Sequence, residues 1–250
     1  MLARDVRAIA IAALSALSLG CGAREYAAEP IDAIVVDAQT KRPVAGALVV
    51  ARWIARGGGG MHRPGDMGSV EMLETLTAAD GTFHFDGWGP RNYEGDGTLL
   101  DEDPRIIVFK HGYLLRHLGN GQYVAPPAKD FRSRKTGPVR SSLWSGETIE
   151  LEPFKGSERE FFAKVYSFFV ASDLWTAFSE STPCDWKKVP KTVAYLENEK
   201  RAYRQAASPE EAAAVMSIRD RLVMNDAAFA KKGCGSPREF FKATVGGENE

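Results

Sequence analysis

The sequence is short of cysteine, short of histidine and without a surplus of either charge, and each shortage removes a class of function. Its 250 residues carry 32 basic and 33 acidic side chains, a net charge of −1. That balance lacks the electrostatic footprint of a nucleic-acid binder, and no nucleic acid is expected as a partner. All four histidines (His62, His84, His111 and His117) lie in the first half of the chain. No His-Glu-x-x-His, Gly-x-Ser-x-Gly or Cys-x-x-Cys occurs, so zinc-protease, hydrolase-elbow and dithiol readings lack their motifs. A Ser-His-Asp triad is defined by geometry, and no spacing here supports one. No catalytic residue and no cofactor is therefore assigned.

What is present begins with an address. Arg4 and Arg7 precede an apolar run over 8–19, too short for the roughly 20 residues of a membrane span and shaped like a signal-peptide core. It ends Leu17-Ser-Leu-Gly-Cys21, which resembles a bacterial lipoprotein lipobox with its leucine one place too close to the cysteine. The resemblance implies a signal over 1–21, a lipidated Cys21 and membrane attachment through it. By the same resemblance, Gly22 with no Asp after the cysteine implies the outer membrane, facing the periplasm. A plain secretory signal with an incidental cysteine is the alternative, and export follows from both. Residues 22–30 then read as a tether.

Export leaves Cys184 and Cys234 as an even pair in an oxidising compartment. A bridge between them closes a loop of about 50 residues, worth roughly 4 kcal/mol in the chain-entropy model. A catalytic thiol needs a neighbouring base, and every histidine is in the other half of the chain. The bridge is the expected state.

From 31 to 153 the pattern is β. The run 31–37 is β-branched, and 47–54 is apolar on both faces and so internal. Residues 56–68, with four consecutive glycines, read as a mobile hairpin loop; they lack the Lys and Ser/Thr spacing of a phosphate cradle. Asp80-Gly81, between runs at 70–77 and 82–86, reads as a tight hairpin with Phe83 and Phe85 on its core side. Further runs at 105–110, 113–116 and 147–152 make about seven strands, the pattern of an antiparallel sandwich.

Three stretches carry a family resemblance. Val36-Asp-Ala-Gln-Thr-Lys-Arg-Pro-Val-Ala-Gly-Ala-Leu-Val49, Thr77-Ala-Ala-Asp-Gly-Thr-Phe83 and Lys110-His-Gly-Tyr113, followed by a closing strand to Pro153, resemble carboxypeptidase regulatory-like domains. Over 31–153 the resemblance implies a transthyretin-like (prealbumin-like) β-sandwich. Such modules are mostly accessory, so it brings a fold and no active site.

Two insertions interrupt that pattern. The first, 87–104, carries Glu94, Asp96, Asp101, Glu102 and Asp103. These are ligands of the type Ca²⁺ takes, but without the alternate spacing of a calcium loop they read as solvated. The second, 119–145, carries Lys129, Arg132, Arg134, Lys135 and Arg140, a candidate contact for an anionic surface or a solvated loop. His84, His111 and His117 would form a metal site only by converging, and no acidic or cysteine ligand follows at metal spacing.

After Pro153 the period becomes helical. Ser157-Glu-Arg-Glu160, Ser208-Pro-Glu-Glu211 and Ser236-Pro-Arg-Glu239 are capping boxes, and Pro190 starts another helix. Phe161, Val165, Phe168 and Phe169 fall on one stripe, continued by Trp175 and Phe178, expected to be a core contact. The whole is expected to be α+β: a sandwich at 31–153 followed by a small helical domain at 154–250. The expected function is a non-enzymatic envelope binding or assembly module with a protein or glycan partner. A hydrolase acting on peptidoglycan or saccharide between the two domains, or a structural lipoprotein of a larger complex, are the alternatives.

Overall fold

The computed structural model describes residues 24–57, 65–93, 97–99, 103–120, 138–171, 173–179, 184–214 and 218–244. The fold is α+β, with eleven strands in three sheets followed by six α-helices among the described residues. Its centre is β3 (Leu48–Gly57), the run that is apolar on both faces. On one side β3 pairs antiparallel with β4 (Gly65–Leu76). On the other it pairs with β8 (Arg105–Phe109), and the short β7 (Thr98–Leu99) extends the ladder at Ala55 and Arg56. β9 (Arg116–Leu118) adds to β8 and completes this sheet.

A second sheet has the order β11-β2-β5, from β2 (Ile31–Asp37), β5 (Thr82–Phe85) and β11 (Thr148–Leu151). A third joins β1 (Arg24–Ala28) to β6 (Trp88–Tyr93) and β10 (Val139–Arg140). Alternation along each strand sends every second side chain to one face. Val49, Ala51, Trp53, Ile106 and Val108 from the β3 sheet therefore share one core with Ile31, Ala33, Val35, Phe83, Phe85, Ile149 and Leu151. Each fully buried side chain of that size contributes about 1.5–3 kcal/mol relative to exposure.

The opposite face of the same sheet is covered by helix. Leu48, Val50, Met72, Ile107 and Phe109 form a second core with Phe161, Val165, Phe169, Trp186, Val193, Leu222, Phe229 and Phe241. These come from α1 (Glu158–Ala171), a 3-10 turn at Asp185–Lys188, α2 (Pro190–Ala206), α4 (Ile218–Met224), α5 (Asp226–Lys231) and α6 (Pro237–Thr244). A 3-10 helix at Asp173–Phe178 and the short α3 (Pro209–Ala214) complete the layer. The aromatic stripe of α1 is thus a core contact, sharing this second core with the sheet while Phe169 packs on Trp175 and Phe178, both at 5.5 Å.

Three helix starts follow the capping residues. Ser157 and Glu160 satisfy each other, the Ser157 amide donating to Oε2 at 2.8 Å and the Glu160 amide to Oγ at 3.3 Å. Ser208 and Glu211 repeat this reciprocity. At α6 one half of the box is in place, Ser236 Oγ accepting the Glu239 amide and donating to Asp226, while Glu239 Oε1 accepts from Lys242 at 3.0 Å. Cys184 and Cys234 are joined in a disulfide, with Cα atoms 5.1 Å apart, tying the 3-10 turn to the approach to α6.

Five sequence expectations change. Asp80-Gly81 does not close a hairpin between paired strands, since β4 lies in the β3 sheet while β5 pairs with β2. The turn carries the chain from one sheet to the other. The Gly81 amide donates to Ala78, the Gly81 carbonyl accepts from the Val35 amide, and Asp80 Oδ1 accepts from Thr82. Gly81 has φ +78°, and a Cβ there would stand 2.5 Å from the Val35 carbonyl oxygen. The glycine is required by this crossing.

The strands are not all antiparallel either. β11 runs parallel to β2 and β10 parallel to β1, because each returns by a long connection rather than a tight turn. The tether expected at 22–30 is, over Arg24–Ala28, strand β1, in which Tyr26 and Ala28 are buried. The acidic insertion contributes β6 and β7, and its Asp103 is buried, accepting the Ile54 amide at 3.3 Å. Strand count therefore exceeds the seven expected. The signal segment with Cys21, residues 58–64 of the glycine loop, and Glu94, Asp96, Asp101 and Glu102 lie outside the described residues.

Candidate functional site

Among the described residues, the seam between sheet and helices holds a group of buried charges. Leu48, Val50 and Arg52 share a face of β3 by alternation, so Arg52 points at the helices. Its guanidinium donates to Ser69 Oγ at 2.6 Å and Thr176 Oγ1 at 2.7 Å, and stands 3.6 Å from Asp185. Asp185 accepts the Ser69 amide and lies 3.4 Å from Lys188. At the edge of this group Glu71 pairs with Arg91. Arg52, Glu71 and Asp185 are all buried.

One turn further, Glu74 of β4 receives the free end of α2. Oε1 accepts the Lys191 amide at 2.5 Å, and Oε2 accepts the Thr192 amide at 2.8 Å and its hydroxyl at 2.9 Å. Val189, the residue before Pro190, offers no side-chain cap. A strand carboxylate thus satisfies orphan helix donors that the local sequence leaves open. Burial pushes the Glu74 carboxyl up, opposed by those amides.

At the far end of β8 three ionisable side chains meet. His111 Nδ1 lies 2.9 Å from Glu199 Oε2 on α2, and Nε2 lies 3.4 Å from Glu158 on α1. Its ring packs edge-on against Phe161 at 5.0 Å. The hydrogen bond to Glu199 raises the His111 pKa above 6.5, burial opposing it. Tyr195 is pushed far up by burial, with the Glu199 charge and hydrogen bond adding to it. Glu199 is buried, so His111 when protonated compensates a carboxylate held away from water.

The histidines do not converge. His84 sits on the exposed side of β5 between Asp32 at 2.7 Å and Asp86 at 3.0 Å, and the Asp32 hydrogen bond raises its pKa first. His117 packs its ring against Phe168 at 5.8 Å. Among the described residues no group of three or more His, Cys, Asp or Glu is placed to hold a metal. No described helix is long and apolar enough to cross a membrane.

Two recesses flank α1. One, of about 280 Å³, is lined by Tyr113, Leu114, Phe154, Lys164, Val165 and Phe168 among others, and the Tyr113 hydroxyl is committed to Asp37 at 3.0 Å. The other is an open groove of about 640 Å³ between α1 and the end of α2, lined by Ser157, Glu160, Phe162, Tyr166, Ser167 and Tyr203 with neighbours. Its floor is a stack of rings. Tyr203 lies 4.6 Å from Phe162 at 22°, and Tyr166 lies 5.7 Å from Phe162 at 20°. Neither recess is lined by His111 or Glu199.

Of the basic residues expected at an anionic contact, Lys129, Arg132, Arg134 and Lys135 lie outside the described residues. Arg140 is corrected. It is buried in the first core, donating to the Leu99 carbonyl at 2.9 Å with its guanidinium 5.5 Å from the Tyr26 ring. A charge paired that way cannot reach a surface. Sequence reading missed the Arg52 seam, the Glu74 cap and the ring-floored groove. The signal available for the groove was Phe162 and Tyr166 four apart on a helix, which share a face.

Comparison with known proteins adds little. No family model matches the chain, and no curated protein matches it. Among solved structures, a group B streptococcus pilus 2b backbone protein is 14% identical over 50% of this chain and 41% of its own, with a TM-score of 0.25. A 3-chlorocatechol 1,2-dioxygenase from Rhodococcus opacus 1CP is 16% identical, covering 52% and 61%, at 0.27. The dioxygenase domain of a carbohydrate-binding fusion from Streptomyces sp. SirexAA-E is 16% identical, covering 54% and 84%, at 0.29. The chain spans less than two thirds of the first two. At such scores the likenesses carry no argument, and the fold rests on the strands themselves.

Proposed function

We propose that this chain is an exported envelope protein, anchored through a lipidated Cys21 in the outer membrane facing the periplasm, that works as a non-enzymatic binding or assembly module. Its strand-rich part serves as a carboxypeptidase regulatory-like, transthyretin-like scaffold, and the helical layer docked on that scaffold presents the binding surface. The observation that carries the reading is the open groove along α1, where the stacked Phe162, Tyr166 and Tyr203 and a polar rim line a concave surface. The Cys184–Cys234 bridge supports export, since such bonds persist in oxidising compartments.

One observation favours the hydrolase reading, the buried Glu199 beside His111 between sheet and helices. Against it, Glu199 already takes both His111 and Tyr195, and neither recess opens onto it. The test uses two arms. A photo-crosslinking side chain placed at Tyr166 in cells is expected to give discrete adducts, absent when it is placed at exposed Glu29. Purified protein incubated with isolated peptidoglycan is expected to release no soluble fragments; release of fragments would hand the chain to the hydrolases. Mass spectrometry of the mature N-terminus tests the anchor, and an unmodified terminus beyond Cys21 ends that part of the proposal.

A further inference from the structure

The groove beside α1 has a chemistry of its own that narrows its ligand. Phe162 and Tyr166 are one turn apart on α1, and Tyr203 comes from the last turns of α2, so the ring stack bridges two helices. Phe162 is buried beneath, while Tyr166 and Tyr203 are half-buried and keep part of their surface in the groove. Stacked nearly parallel to Phe162, the two tyrosines keep ring surface in the groove, and the face of such a ring is the negative part of its π-system. The group that fits such a face is one with a flat array of weakly positive C–H bonds.

The rim says what else the ligand carries. Arg159 is paired with Glu211, so the rim's cation is already neutralised. Glu160 accepts the amide and hydroxyl of Ser157, which hold its pKa low and its carboxylate ionised. An ionised carboxylate has roughly four acceptor positions, so Glu160 retains room for further donors. Ser157, Ser167 and the two tyrosines line the same groove with neutral hydroxyls. An anionic ligand would meet Glu160 and find Arg159 occupied. A proline-rich peptide also docks on aromatic grooves, but it has few N–H groups to give Glu160. A pyranose chain supplies both requirements, flat C–H faces for the rings and hydroxyl donors for the rim. The volume of about 640 Å³ lies within the usual range for small-ligand sites, about 300–1,000 Å³.

We infer that the groove formed by Phe162, Tyr166 and Tyr203, with Glu160 and the serines on its rim, is a binding site for a neutral saccharide chain. The inference rests on the binding-module reading and names the class of ligand for that site. Tyr166 and Tyr203 supply the stacking surface, and Glu160 fixes orientation by accepting sugar hydroxyls.

The experiment titrates the purified mature chain with chitotetraose and with cellotetraose, followed by NMR of the tyrosine rings. A hexaproline peptide and a tetra-galacturonate serve as the peptide and anionic arms. At least one neutral tetrasaccharide is expected to shift the Tyr166 and Tyr203 signals. Tyr203→Ala is expected to weaken binding about tenfold, and Tyr203→Phe, which keeps the ring, to stay within about threefold. Unchanged melting of both variants shows that the fold is intact. Silence with both neutral sugars, or binding that survives the Tyr166→Ala/Tyr203→Ala pair, overturns the inference. Binding of hexaproline or the galacturonate in place of neutral sugar also overturns it, while leaving a binding module standing. Loss of the Tyr166 crosslinks in cells is the separate result that removes the module itself.

Discussion

The two faces of the β3 sheet are built differently. The inner face places Val49, Ala51, Trp53, Ile106 and Val108 against the apolar residues of β2, β5 and β11. The outer face places Leu48, Val50, Ile107 and Phe109 against helices, but mixes in Arg52 and Glu74, both committed to helical partners. Apolar burial is non-directional and sets how much surface is hidden. Buried hydrogen-bonded charges are weak sources of net stability, yet they have strict partners. The outer face therefore fixes where the helices sit as well as that they sit there. Glu74 holds the start of α2 and Arg52 holds the 3-10 elements before it, which brings Tyr203 of α2 beside Phe162 of α1.

The largest effect should come from the apolar part, on either face. Phe109→Ala, which removes the outer-face ring packed 5.4 Å from Tyr195, is expected to cost about 3–5 kcal/mol in urea unfolding, and Ile106→Ala on the inner face about 2–5 kcal/mol. Both variants should shift one common transition. Two transitions, each moved by only one variant, would mean that the faces belong to independent units.

Arg52→Ala comes next, at about 3 kcal/mol, because Asp185 loses its guanidinium neighbour in a buried site. Arg52→Met combined with Asp185→Leu should recover most of the loss, since paired charges replaced by apolar groups of similar size are often neutral. If the double variant is worse than the single one, the seam contributes stability and not position alone. Glu74→Ala should cost about 1 kcal/mol as a lost helix cap, read by thermal unfolding, with the first turn of α2 exchanging its amides faster.

The smallest effect is a pH dependence at the joint. His111 has its pKa raised in the folded chain by Glu199, so its stabilising contribution is complete below 6.5 and fades as pH rises through the raised folded value. His111→Gln should lower the melting temperature at pH 5.5 and converge on the parent chain in the alkaline range. A difference that grows with pH would reverse the sign and remove the ion pair from the account.

What was legible in the sequence was local. The apolar run of β3 announced a strand buried on both faces, and the capping serines with their glutamates announced three helix starts. The cysteine pair followed from simple counting. What escaped was long-range. Asp80-Gly81 carries a hairpin signature, yet the partner of β5 is β2, about 50 residues earlier, and no local pattern encodes that choice. Arg24–Ala28 looks like a tether because its value as a strand depends on β6 and β10. Arg140 looked solvated because its neighbours in sequence are basic, whereas its neighbours in space are Tyr26 and Leu99. Glu74 and Val189 are 115 positions apart, so a cap supplied from a strand leaves no trace in the helix's own residues.

The central claim is that the helices are a layer docked on the sheet, sharing its core, and not a unit beside it. Native-state hydrogen exchange across increasing urea tests this most directly. The account predicts that amides of β3, β8 and α2 converge on one opening free energy and one denaturant slope. Global opening of α1 and α2 while β3 and β8 stay protected would contradict it.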